Sequence, residues 1–134
     1  MSELIKKYEG CKLSAYKCAA GIWTIGWGST FYQDGRPVKQ GDKITQDEAD
    51  KLLDWYIKNK IKVPVGLNKT QTEAVRSLIY NIGQSAFDKS TLKKAIESKD
   101  WKAVFNNWNW ITGGGQFLKG LAKRRAEELM LFFS

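Results

Sequence analysis

The chain has 134 residues, 43% of them apolar by type, a net charge of +8, six tryptophans, two cysteines and no histidine. That length and apolar content fit one folded domain with its own core and exclude disorder, and no apolar run reaches the roughly 20 residues a membrane helix needs. Without histidine, Ser-His and Cys-His nucleophile pairs are excluded and a metal site is not expected, so any acid–base chemistry falls to carboxylates, thiols, tyrosines or lysines.

Residues 3–8 place Leu4, Ile5 and Tyr8 at helical spacing, with Gly10 as the stop. Leu13 to Lys17 and Ile22 to Gly26 alternate as two strands joined through "CAAG", and Asp34-Gly35 marks a further turn. Helical patterns follow. Thr45 and Glu48 form a capping box before Ala49, Leu52, Leu53 and Tyr56, and Pro64 and Gly66 break the chain. Thr70 and Glu73 read as a second capping box for "AVRSLIYNIG", a core helix ending at Gly83. Asp88 or Ser90 is placed to cap "TLKKAIES", and Asp100 to cap "WKAVFNNWNWI". "TGGGQ" at 112–116 reads as a flexible link, and "FLKGLAKRRAEELMLFF" as a final amphipathic helix. The fold class is α+β: a small antiparallel sheet, roughly 11–44, beside a helical part, roughly 45–134 with the N-terminal helix. Two lobes of this kind leave a cleft, where ligands sit.

Glu9 closes the first helix. The negative end of the helix dipole disfavours its carboxylate, and aromatic neighbours such as Trp23 or Trp27 would act the same way by desolvation. A glutamate kept protonated near neutral pH is what a general acid requires. On the second strand Thr24 shares a face with Ile22 and Gly26, and Cys18 lies near it at the turn end of the first strand. Taken singly, these residues read better as a surface glutamate, a β-favouring threonine and a small buried hydrophobe than as site residues. Cys11 also reads as a buried hydrophobe, unbridged to Cys18.

The stretch "EGCKLSAYKCAAGIWTIGWGST" resembles the active-site segment of phage-type lysozymes, the endolysin family of glycoside hydrolases. That family's pattern is a Glu, eight residues, an Asp or Cys, five residues and a Thr, and Glu9, Cys18 and Thr24 fit it. "TIGWGST", "ITQDEADKLL", "QTEAVRSLIYNIGQSAFDKSTL" and "GGGQFLKGLAKRRAEELMLF" resemble further family blocks in order, so the likeness spans the chain as a single lysozyme-like catalytic domain over 1–134. It is most similar to the shorter endolysins of lambdoid-type phages and prophages.

The resemblance implies a muramidase that cleaves the β-1,4 bond between N-acetylmuramic acid and N-acetylglucosamine in peptidoglycan during host lysis. Glu9 would protonate the leaving oxygen and Thr24 would orient the attacking water. Thr30, Tyr80, Asn81 and Ser90 match positions that contact sugar. No cofactor or metal is implied. A monomer is expected, stored in the host cytoplasm until a separate holin opens the way to the periplasm and cell wall.

Most members carry a carboxylate where this chain has Cys18. A free thiol of pKa about 8.5 is only about 3% thiolate at pH 7, and nothing in the sequence lowers it. Weak base, covalent nucleophile and spacer all stand open for Cys18. The +8 charge fits an anionic partner or a solvated surface. Against the muramidase stand two readings: a membrane-active lytic protein using the basic helix at 117–133, and a nucleic-acid binder, for which no reading motif is present.

Overall fold

The computed structural model describes residues 2–113 and 115–134. It divides into two compact units, 2–60 and 61–134. The division falls after Lys60 rather than near residue 44, so the first two helices belong with the hairpin.

In the first unit, α1 (Glu3–Glu9) leads into β1 (Lys12–Lys17) and β2 (Trp23–Gly26), and α2 (Gln46–Lys60) closes it. Gly10 ends α1 at φ 69°, with its amide donating to the Lys6 carbonyl. A side chain at that angle is strained, which is why glycine stands there. β1 and β2 pair antiparallel, with Tyr16 opposite Thr24 and Lys17 opposite Trp23. The register slips between Tyr16 and Lys12, which lies opposite Gly26. There the chain 42–44 takes over the pairing: the Ala15 amide donates to the Asp42 carbonyl and the Ile44 amide to the Leu13 carbonyl, both at 2.9 Å.

Gly26 is buried at φ +65°, a backbone angle that strains any side chain, and this is why glycine stands in "TIG" where β2 packs on α2. Thr45 and Glu48 make the expected reciprocal cap on α2, at 2.9 and 3.1 Å. Ile25, Val38 and Leu52 centre this unit's core, flanked by Ala15, Trp23, Tyr32, Ile44 and Trp55.

The second unit is mainly helical: α3 (Lys69–Ile82), α4 (Gln84–Asp88), α5 (Thr91–Glu97), α6 (Trp101–Asn106) and α7 (Lys119–Phe132). Its buried apolar residues include Val75, Leu78, Ile79, Phe87, Leu92, Ile96, Val104 and Trp108. Three expectations are corrected here. The box on α3 is Asn68 with Gln71, not Thr70 with Glu73, because the helix begins at Lys69, before Thr70. α6 stops at Asn106, where the Asn107 side-chain amide donates to the Ala103 carbonyl, so "WNWI" lies outside the helix. Two short strands, β3 (Thr112–Gly113) and β4 (Gln116–Phe117), pair antiparallel where a flexible link was expected; Gly114 of that link lies outside the described residues.

The basic run is also not what its charge suggests. Arg124 and Arg125 are buried, as is Glu128 between them and Trp108. Arg124 and Arg125 pair with the Glu128 carboxylate at 3.4 and 2.7 Å, the Trp108 indole donates to it at 3.1 Å, and the Ser77 hydroxyl donates to it too. α7 packs along α3 with this charge inside. Such a helix does not present its arginines to lipid, which removes the basis for the membrane-lytic reading.

Candidate active site

Three of the expected site residues, Glu9, Cys18 and Thr24, and also Thr30, lie in the first unit. The antiparallel register assembles the hairpin part. Cys18 follows β1 directly, its amide donates to the Ile22 carbonyl at 3.0 Å, and its own carbonyl accepts from Gly21 at 2.8 Å. That turn puts Cys18 opposite Ile22, two pairs beyond Tyr16 and Thr24. Residues opposite each other across antiparallel strands share a face, as do alternate residues along one strand. Cys18, Tyr16, Ile22 and Thr24 therefore form one face of the hairpin tip.

Thr24 is buried, and its hydroxyl donates to the Ile22 carbonyl at 2.9 Å. The same hydroxyl is within reach of the Cys18 sulfur and favours its thiolate. The larger causes are the backbone amides of Ile22 and Ala20, and together they outweigh desolvation and hold the Cys18 thiol below its ordinary range. The tight turn thus supplies the donors that the amino-acid sequence alone does not reveal. The thiol is free, as is that of Cys11.

Glu9, the last residue of α1, is only partly exposed. Burial first, and then the charges of Glu9 and Cys18, raise the Tyr16 hydroxyl above its ordinary range. Tyr16 is the residue sequence reasoning missed. Its signal was present, since it stands two residues before Cys18 in the strand and opposite Thr24 once the hairpin is closed.

The two tryptophans expected beside Glu9 have cationic neighbours. The Lys6 ammonium lies 5.5 Å from the Trp27 ring centre and that of Lys17 5.4 Å from the Trp23 ring centre. The Trp27 indole donates to Asp50 at 2.8 Å, Asp50 accepts from Gln46 at 3.1 Å, and Lys6 reaches Asp50 at 3.7 Å. Trp27, α1 and α2 are tied by this group, which fixes where α1, and with it Glu9, ends. Cys11 belongs to it as well: it is partly exposed, and its sulfur accepts from Gln46 at 3.7 Å, so it is not the buried hydrophobe expected.

Thr30 lies in the loop after β2, where its carbonyl accepts from the Val38 amide. Tyr80, Asn81 and Ser90 belong to the second unit. Asn81 accepts from Arg125 at 2.9 Å, and Ser90 caps α5, accepting from the Lys93 amide at 3.1 Å and donating to the Phe87 carbonyl at 2.6 Å. Tyr80 is partly exposed on α3.

Comparison with known proteins places the chain as a whole. The sequence profile described as phage lysozyme matches residues 6–128. The chain is 40% identical to an endolysin of Acyrthosiphon pisum secondary endosymbiont phage 1, over 98% of this chain and 93% of that protein. Among solved structures it is similar to the endolysin from Escherichia coli O157:H7 phage FAHEc1, at 31% identity and a TM-score of 0.83, over 98% of this chain and 89% of that one. It is also similar to the muramidase domain of SpmX from Asticaccaulis excentricus, at 30% identity and a TM-score of 0.78, over 98% and 93%. An α+β architecture, a hairpin carrying the Glu-Cys-Thr spacing and a profile match over nearly the whole length lead to one assignment: the chain belongs to the phage lysozyme family.

Proposed function

We propose that this peptidoglycan-degrading lysozyme works through Glu9, with Cys18 and Thr24 holding the water side of the reaction. The bond cleaved is the β-1,4 link between N-acetylmuramic acid and N-acetylglucosamine. Glu9 gives its proton to the glycosidic oxygen as the anomeric C–O bond breaks. A water, oriented by the Thr24 hydroxyl and relieved of a proton by the Cys18 thiolate, supplies the oxygen that bonds the anomeric carbon. The thiol then returns that proton to solvent and Glu9 regains its own. General-acid and general-base help of this sort contributes about 10²–10⁴-fold each.

The observation that carries this reading is the hairpin register, which brings Cys18 and Thr24 to one face, together with the backbone donors that favour the thiolate. That combination favours the base among the three roles open to Cys18. Thr30, Tyr80, Asn81 and Ser90 are assigned to sugar contact on family likeness alone. On the same basis we place the protein as a monomer in the host cytoplasm until a holin releases it to the wall.

Glu9→Gln keeps shape and removes the transferable proton. Release of reducing ends from purified peptidoglycan should fall by about 10²–10⁴-fold with the fold unchanged. Parent-like release by that variant would overturn the assignment.

A further inference from the structure

Asn81 is exposed on the last turn of α3, yet one end of its carboxamide is held from the core. Arg125 Nη1 donates to Asn81 Oδ1 at 2.9 Å and reaches the Trp110 carbonyl at 3.4 Å. Arg125 is only 2% exposed, and its Nη2 donates to Glu128 at 2.9 Å, so the guanidinium that grips Asn81 is itself fixed. A guanidinium has donors and no acceptor. The atom it meets on Asn81 is therefore the oxygen, and the amide cannot turn over without setting N–H against N–H. Nδ2 carries the two remaining donors and meets no acceptor among the described residues. A freely rotating surface asparagine offers donors and an acceptor alike. This one offers donors alone.

We infer that Arg125 is a positioning residue for substrate binding: it locks the Asn81 carboxamide so that its two N–H donors read a carbonyl oxygen of the peptidoglycan. The inference rests on the reading that Asn81 touches the substrate, and it adds what that contact selects. A sugar hydroxyl both donates and accepts, so it can be met by either end of an amide, whereas a carbonyl can be met only by donors. Peptidoglycan carries such carbonyls on the acetamido groups of both its sugars and along its peptide stems. Holding the amide in advance also removes an ordering cost that a mobile asparagine would meet on binding. The contact gives Nη1 of a buried arginine a use beyond the pairing with Glu128.

Asn81→Asp is the first test. It keeps the oxygen that Arg125 holds, makes that bond charge-assisted, and replaces the two donors by an acceptor. The unfolding temperature should not fall. On soluble peptidoglycan strands KM should rise about tenfold with kcat nearly unchanged, the pattern of a lost binding contact. Arg125→Lys keeps a cation for Glu128 but not the fork that also reaches Asn81. It should raise KM about two- to fivefold, because the amide is then free to turn. That rise should vanish when position 81 is already alanine, whereas a residue serving only the core would change the unfolding temperature alone. Strands stripped of their stems by an amidase separate the two carbonyl sources: a full Asn81→Asp penalty there assigns the contact to an acetamido group, and its loss assigns it to the stem. If Asn81→Asp keeps the parent's KM, or Arg125→Lys does so while folded, the inference is overturned. Asn81→Ala assayed in parallel tells the two ideas apart. If it raises KM while the other two variants do not, Asn81 still touches substrate and only the role of Arg125 falls. If it too keeps the parent's KM, the reading of Asn81 as a substrate contact fails first.

Discussion

Two glutamates show how differently the two units use the same side chain. Glu128 in the second unit is fully buried, and its carboxylate is held by two arginines, a tryptophan and a serine. Such a charge offsets its desolvation by pairing. Glu9 in the first unit ends a short helix and remains partly exposed. A carboxylate locked among buried partners is part of the core, whereas one at a partly exposed helix end can be replaced without opening the core.

Substituting both should separate the roles. Glu9→Gln, tested as above, should cost the largest factor in rate and almost nothing in stability. Glu128→Gln should do the reverse. Removing one partner of a buried ion pair costs about 3–5 kcal/mol, because the other charges are left uncompensated. Denaturant titration of the two variants beside reducing-end assays checks this. A Glu128→Gln protein as stable as the parent would show that the arginines find compensation elsewhere and that the contrast is wrong.

Cys18 sharpens the same contrast at a smaller scale. Cys18→Ala should lower the rate by about ten- to a hundredfold, while Cys18→Asp, ionised at neutral pH, should keep substantial activity. The direct test of the thiolate is alkylation by iodoacetamide in a Cys11→Ala background, followed against pH. Because the fold holds the Cys18 thiol below its ordinary range, the reaction midpoint should lie below about 8.5, and native stability gains from this group above the unfolded pKa and loses that gain as pH falls through the folded one. A midpoint at or above the free-thiol value would leave Cys18 a spacer, with Glu9 and Thr24 sufficing.

Much of this was legible in the sequence, and the reasons differ by residue. The helix ended by Gly10, the two strands and the Thr45–Glu48 cap are local patterns, and each appears in the structure. What was hidden depends on closure. The donors at Cys18 are backbone amides whose direction only the turn defines, and Tyr16 joins the site only through pairing with Thr24. The final helix was legible as basic, but not that Arg124 and Arg125 are buried on Glu128, since nothing local indicates that Ser77 and Trp108 complete its shell. The tryptophans were placed beside Glu9 by proximity in sequence, whereas Asp50, far along the chain, claims the Trp27 indole.

The smallest effect tests the place where the sequence reading and the structure part over a helix start. "TQTE" at 70–73 reads as a capping box, but the structure closes Asn68 with Gln71 instead. Asn68 wins because its side chain accepts from the Gln71 amide at 2.8 Å while Gln71 accepts from the Asn68 amide at 3.0 Å, which starts α3 two residues earlier. Thr70 is then inside the first turn, its hydroxyl donating to Asn68 at 3.0 Å and so supporting the cap rather than making one. Asn68→Ala should therefore cost about 1 kcal/mol, the usual price of losing an N-cap, and Thr70→Ala no more than about 0.5 kcal/mol. Activity at temperatures well below unfolding should be unchanged in both, since neither residue belongs to the hairpin unit. Chemical denaturation of the pair decides it: if Thr70→Ala is the costlier of the two, α3 begins at the later box and the order drawn from the hydrogen bonds is reversed.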